Sequence, residues 1–278
     1  MHRFLAGAWL VALVLAPARG DAQSFMVASP AVMIDGRTRT GSIVLINDGV
    51  TPLEITISTF YGYPVTDSLG QMYLRTFTEI DDSMPSAASW VESFPRRLRM
   101  EPKSRATVRL LVSQPGDRPA GEYWARVMIA TKAGALPVGG LPDSSGIRAT
   151  LNIEVRSVVG LFYRVGTVTT GVAIDDLRGA SQGDSLVGRV KLTRQGNAAF
   201  VGSIRVQLRD AGGQLRAEQL LPLGVYYTLE PRFALPVQGL PPGRYTLSVE
   251  ALSSRPDLPS NLLLPTVPVR KLIEVSLP

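Results

Sequence analysis

Cysteine is absent from the whole chain, and the only histidine is His2. Without cysteine there is no disulfide, no thiol chemistry and no sulfur-ligated metal. His2 sits in a leader that reads as removed on export. The remaining chain therefore holds no Ser-His-Asp triad, no histidine base and no histidine-ligated zinc. Long apolar runs are scarce as well. The one candidate, Phe4–Ala16, has thirteen residues, where a bilayer needs about 20. Met1-His2-Arg3 ahead of it and Pro17–Ala22 behind it give residues 1–22 the layout of a signal peptide, with Gln23 the first residue after cleavage. No cysteine is present to carry a lipid. An exported, soluble chain without membrane insertion is expected.

Charge excludes a further class. Lysine and arginine number 29 against 23 aspartates and glutamates, a net +6 spread along the chain. With no aromatic-basic recognition motif, nucleic acid is not an expected partner. The basic stretch Arg96, Arg97, Arg99, Lys103, Arg105 and Arg109 interleaves with apolar residues and reads as the wet face of two strands. The acidic doublets Asp81-Asp82 and Asp175-Asp176 lack a ligand-rich loop pattern and read as turn residues, not as a metal or acid–base site. No nucleophile–base pair is evident, so the chain reads as a non-enzymatic protein that needs no cofactor.

What the sequence has in quantity is alternation. Leu53, Ile55 and Ile57 alternate with Glu54, Thr56 and Ser58; Val108, Leu110 and Val112 repeat the pattern, as do Tyr123, Ala125, Val127 and Ile129. Further along come Val190/Leu192, Ile204/Val206/Leu208 and Tyr245/Leu247/Val249. Side chains of a strand point to opposite faces in turn, so each run is a strand with one apolar side. Turn signals separate them at Asn47-Asp48-Gly49, Asp210–Gly213 and Pro241-Pro242-Gly243. No convincing helical period intervenes. The fold class is all-β, two immunoglobulin-like sandwiches in tandem, with domains at 23–163 and 164–278. Ala133–Gly146 and residues 64–89 read as irregular.

The longest alternation runs from Ile147 to Leu161. Ile147, Ala149, Leu151, Ile153, Val155, Val159 and Leu161 share one face; Arg148, Thr150, Asn152, Glu154 and Arg156 share the other. An ordinary strand has about 5–6 residues. A strand of this length has apolar side chains to place beyond its own sandwich, against a second domain or another protein. In Tyr123-Trp124, one ring is expected in the core and the other at the surface or in a domain cleft.

Several of these pieces, read in order, resemble the periplasmic chaperones of the chaperone–usher pilus pathway. They are the turn Asn47-Asp48-Gly49, the run Phe94–Leu110 with its Pro95, Pro102 and Val108-Arg109, the segment Gly121-Glu122-Tyr123-Trp124, and Leu161-Phe162-Tyr163-Arg164. The resemblance covers about residues 25–164. It implies a periplasmic chaperone that holds a pilin-like subunit by lending it the alternating face of the long strand, here Leu151, Ile153 and Val155 with Ile147 and Ala149, for assembly at an outer-membrane usher. It also implies two cations that grip the subunit's terminal carboxylate. Neither stands at the matching place: no arginine lies near Ser29-Pro30-Ala31, and Gly160 precedes Leu161. Arg37, Arg39 and Arg156 are the substitutes at hand, with Arg156 the candidate anchor. The reading from another class is a structural or adhesive component of an exported surface assembly.

Overall fold

A computed structural model describes residues 25–133 and 153–278. The expected signal peptide, most of the expected loop Ala133–Gly146, and Ile147, Ala149 and Leu151 lie outside the described residues. Within them the first half forms β1 (Phe25–Val27), β2 (Ala31–Asp35), β3 (Thr40–Asn47), β4 (Leu53–Thr66), β5 (Met72–Phe77), β6 (Val91–Phe94), β7 (Arg97–Met100), β8 (Ser104–Val112), β9 (Gly121–Ala133) and β10 (Glu154–Val165). The second half forms β11 (Thr170–Gln182), β12 (Ser185–Gly196), β13 (Phe200–Arg209), β14 (Leu215–Val225), β15 (Thr228–Leu229), β16 (Arg232–Pro236), β17 (Gly243–Leu252) and β18 (Val269–Leu277). Among the described residues there is no α-helix, only the 3₁₀ turns Ala88–Trp90 and Ser260–Leu262.

The strands make two sandwiches, as the alternation predicts. In the first, a sheet ordered β1-β3-β8-β6 faces one ordered β2-β10-β9-β4-β5, with β7 also pairing β4. Ile43, Leu45, Val108 and Leu110 from one sheet share a core with Ile55, Val127, Ile129, Val159 and Leu161 from the other. In the second, β11-β12-β15 with β16 covers β14-β13-β17-β18. Its core holds Leu186, Val190 and Leu192 with Ile204, Val206, Leu247 and Val249. Each fully buried aliphatic side chain contributes about 1.5–3 kcal/mol, which is why period-2 runs decide this fold.

Local chemistry explains the turns. The Asn47 side chain is buried: its Nδ2 donates to the carbonyls of Thr51 (2.9 Å) and Glu101 (3.0 Å), and its Oδ1 accepts the Gly49 N–H. One asparagine thus ties the β3–β4 turn to the end of β7. The basic stretch is exposed as expected, with Arg96 paired to Glu92 and Arg99 to Glu101.

Three expectations need correction. Residues 64–89 are not irregular throughout, because β4 continues to Thr66 and returns as β5 in a hairpin arm. Asp67 closes the arm by accepting the N–H groups of Leu69 and Gln71, and Gly70 takes φ +78°. Almost all of β5 is exposed, so no core face imprints a period on it. Asp175-Asp176 lies not in a turn but within β11, where the pairing with β12 slips by one residue. Finally, the long strand does not stop at Leu161: β10 runs on to Val165.

Candidate functional site

β10 has two different flanks. Along one it pairs with β9 from Glu154↔Lys132 to Val165↔Gly121. Along the other, β2 joins it in parallel only from Gly160↔Ala31 onward. Among the described residues, no strand pairs with that second flank between Glu154 and Val159. Unpaired N–H and C=O groups on such an edge are a template for another strand.

The side chains of this stretch continue the core face out of the sandwich. Val159 and Leu161 are 1% and 0% exposed, whereas Val155 is 45% and Ile153 56% exposed. Val155, Val159 and Leu161 alternate on one side of β10, and Ile153 immediately precedes the strand. The apolar stripe therefore begins inside the core and ends in water. Ile153 and Val155 are the two residues of the expected partner-binding face that fall within the described residues.

The opposite side of the β9–β10 ladder carries three successive cross-strand pairs: Arg164↔Glu122, Phe162↔Trp124 and Gly160↔Arg126. Here the second sandwich covers the first. The Glu122 carboxylate accepts hydrogen bonds from Arg164 Nε (2.8 Å), Trp124 Nε1 (2.8 Å) and the Ala199 backbone N–H (3.0 Å). Arg164 Nη2 donates in turn to the Leu262 carbonyl at 2.7 Å. Trp124 packs edge-on against Tyr226 with centroids 4.7 Å apart, and Tyr63 stacks on Tyr226 at 5.9 Å. Of the aromatic pair, Trp124 is the ring in the cleft. Tyr123 lies partly buried on the core side, 5.0 Å from Trp90. Burial pushes the Tyr226 phenol above its ordinary pKa, opposed in part by the nearby Arg126 charge.

Arg126 was not a sequence candidate. It is 7% exposed, its Nε donates to the Gly62 carbonyl at 2.9 Å, and its guanidinium lies 5.0 Å from the Tyr226 ring centre. A Cβ at Gly160 would come within 2.8 Å of Arg126 Nη1. The glycine ahead of Leu161 therefore makes room for an arginine from the neighbouring strand. Arg156, the sequence candidate for an anchor, has a partner of its own: its Nε donates to Glu154 at 2.6 Å. It is exposed and, one residue on from Val155 in β10, points to the other side of the strand. Together with Lys132 at 3.1 Å, it holds the Glu154 carboxyl below the usual carboxylate range. Arg37 is exposed and paired with Asp35.

No protein-family model matches this chain, and no curated protein does. Among solved structures, it is similar to the Pseudomonas aeruginosa CupB2 chaperone, with 13% identity over 91% of this chain and 100% of that one, TM-score 0.44. The Escherichia coli chaperone DraB is 14% identical over 82% and 90% of the two chains, TM-score 0.41. A chain of the Acinetobacter baumannii CsuC–CsuE chaperone–tip subunit complex from Csu pili is 14% identical over 91% and 98%, TM-score 0.43. At these identities the likeness concerns fold alone.

Proposed function

We propose that this chain is an exported, non-enzymatic chaperone that holds a pilin-like subunit by lending it β10 as a strand, for delivery to an outer-membrane usher. One observation carries this reading: among the described residues no strand pairs with one edge of β10 between Glu154 and Val159, and its core-face side chains emerge into water. A subunit short of one strand has the complementary needs, an unpaired edge of its own and an open apolar groove. Burying the exposed halves of Ile153 and Val155 contributes about 1 kcal/mol each, and each ladder hydrogen bond adds about 0.5–1.5 kcal/mol. In this reading Ile147, Ala149 and Leu151 lengthen the same stripe. Residues 1–22 direct the chain to the periplasm and are removed. Residues 23–163 form the strand-lending domain, and residues 164–278 form a second sandwich that braces it.

The test is co-expression in the periplasm with an exported pilin-like subunit, followed by purification through a tag on this chain. An equimolar complex is expected for the wild type, and none for Ile153→Asp. Equal recovery with both chains would defeat strand donation. If this chain were instead found incorporated in the surface polymer and not released, it would be a structural or adhesive component.

A further inference from the structure

Trp90 and Trp124, both buried, each carry an arginine on the ring. Arg118, in the segment between β8 and β9, sets its guanidinium carbon 5.1 Å from the centre of Trp90. Arg194, in β12, lies 5.7 Å from Trp124 and 5.6 Å from Tyr227. Among the described residues neither arginine has a carboxylate within ion-pair distance. The Nε of each is buried without a hydrogen-bond partner. An aromatic face is a weaker partner for a guanidinium than a carboxylate, and a buried donor left unpaired forfeits its water for nothing. Two half-buried cations are thus uncompensated.

They line one recess of about 820 Å³, with walls from both sandwiches. Backbone holds each arginine in place. The Arg194 N–H donates to the Tyr227 carbonyl at 2.8 Å, and its Nη1 donates to the Gly196 carbonyl at 2.9 Å. Beside Arg118, the Pro119 carbonyl accepts the Tyr123 hydroxyl at 3.0 Å. The two walls are also tied to each other: the Glu122 N–H donates to the Asn197 carbonyl at 3.0 Å, and Asn197 Nδ2 to the Ala120 carbonyl at 3.1 Å. Three carboxylates border the recess, and none is free beside these cations. Glu122 is spent on Arg164. Asp81 and Asp82 are exposed, where water screens them, and Asp81 already accepts the N–H and hydroxyl of Ser83.

From this geometry we infer that the recess binds a small organic dianion, a phosphate monoester or a dicarboxylate, between Arg118 and Arg194. Two cations balance two negative charges. A guanidinium stacked on a ring keeps its N–H edge for an oxyanion, which it meets through two parallel hydrogen bonds. The volume falls within the range of about 300–1,000 Å³ common to small-molecule sites, so an organic body has room against the aromatic walls. None of residues 154–159 lines the recess. The site is therefore separate from the free edge of β10, and it stands whether or not that strand is lent.

The fluorescence of the protein tests this directly. Apart from Trp9 in the expected leader, Trp90 and Trp124 are the chain's only tryptophans, so their emission reports on this recess. The probes are phenyl phosphate, phthalate and phenyl sulfate, titrated onto the exported chain at constant ionic strength and about pH 8, where a phosphate monoester carries close to two charges. Phenyl sulfate has the shape of the phosphate and one charge. At least one dianion is expected to change the emission saturably and to bind about tenfold or more tightly than phenyl sulfate, as a second charge-assisted pair allows. Which dianion does so tells a phosphate site from a dicarboxylate site. Arg118→Met and Arg194→Met should each erase most of that preference. If either fails to fold, Arg118→Lys and Arg194→Lys keep the charge without the planar fork and should still bind the dianion severalfold more weakly than the wild type. Saturation by neither dianion, equal binding of dianion and phenyl sulfate, or a preference that survives the loss of both arginines overturns the assignment.

Discussion

Glu122 and Arg164 face each other across β9 and β10 at 2.8 Å, and each also holds backbone of the second sandwich. Glu122 takes the Ala199 N–H, and Arg164 gives to the Leu262 carbonyl. The pair is nearly dry, with the carboxylate side chain fully buried. A buried pair of this kind costs much desolvation to assemble, and breaking it from one side is worse than replacing it whole. Arg164→Met should therefore destabilise the protein by roughly 3–5 kcal/mol. Glu122→Gln should cost less, because its carbonyl still accepts from Trp124 and Ala199. Denaturant midpoints decide this, and a change in Arg164→Met under about 0.5 kcal/mol would mean the pair does not join the two halves.

The exposed stripe on β10 predicts a separation of stability from binding. Ile153→Asp and Val155→Asp place a carboxylate where water already reaches, so the unfolding free energy should change by no more than about 1 kcal/mol. Subunit capture should fall by orders of magnitude, because in the complex the same charge enters an apolar groove. Leu161→Asp is the control. It lies on the same face, wholly inside the core, and should abolish folding. Thermal melts beside co-purification yields make the comparison. Equal damage to stability at positions 153 and 161 would show that the stripe is core throughout.

Much of this was legible because one face of most strands is buried. Leu53/Ile55/Ile57 and Val108/Leu110/Val112 alternate since a core lies on one side only, and the same logic found β10. The β4–β5 arm was illegible for the converse reason. Gly62 and Pro64 interrupt the alternation, and of β5 only Phe77 touches the core, so nothing selects a period there. Arg126 was missed on subtler grounds. Alternation assigns Glu122, Trp124 and Arg126 to the wet face of β9, which is right for the neighbouring Lys132 but wrong where the second sandwich comes down on it. The clues were a tryptophan at a supposedly wet position and a glycine in register with an arginine. Neither means anything until β9 and β10 are paired.

Glu154 opens β10 and is held by Arg156 and Lys132. Its carboxyl titrates below the usual range because both cations favour the ionised form. A folded-state value below that of the unfolded chain, about 4.3, means the stabilisation is present above the unfolded value and is lost as pH falls through the folded one. Acidification should therefore loosen the start of β10. Amide exchange at Val155–Ser157 should speed up below about pH 4, relative to global unfolding, in the wild type. Glu154→Gln should show faster exchange already at neutral pH and no such acid step. An identical acid profile in the two proteins would exclude Glu154 as its source.

The alkaline side tests the cleft. Burial raises the phenol pKa of Tyr226, and Arg126 only partly opposes it. In the unfolded chain the phenol ionises near its ordinary value of about 10. The folded state thus binds the proton more tightly, so its stabilisation is complete below that value and is lost as pH rises above it. Tyr61, Tyr63, Tyr123 and Tyr163 are raised for the same leading reason and add to the slope. Denaturant midpoints from neutral pH upward should stay level and then fall steeply past about pH 10, with tyrosinate absorbance growing in parallel with unfolding. Tyr226→Phe keeps the ring that Trp124, Tyr63 and Arg126 meet but removes the proton, so its curve should fall less steeply. If Tyr226→Phe retained the full wild-type slope, the phenol would ionise in the folded cleft, and the second sandwich would not seal it from water.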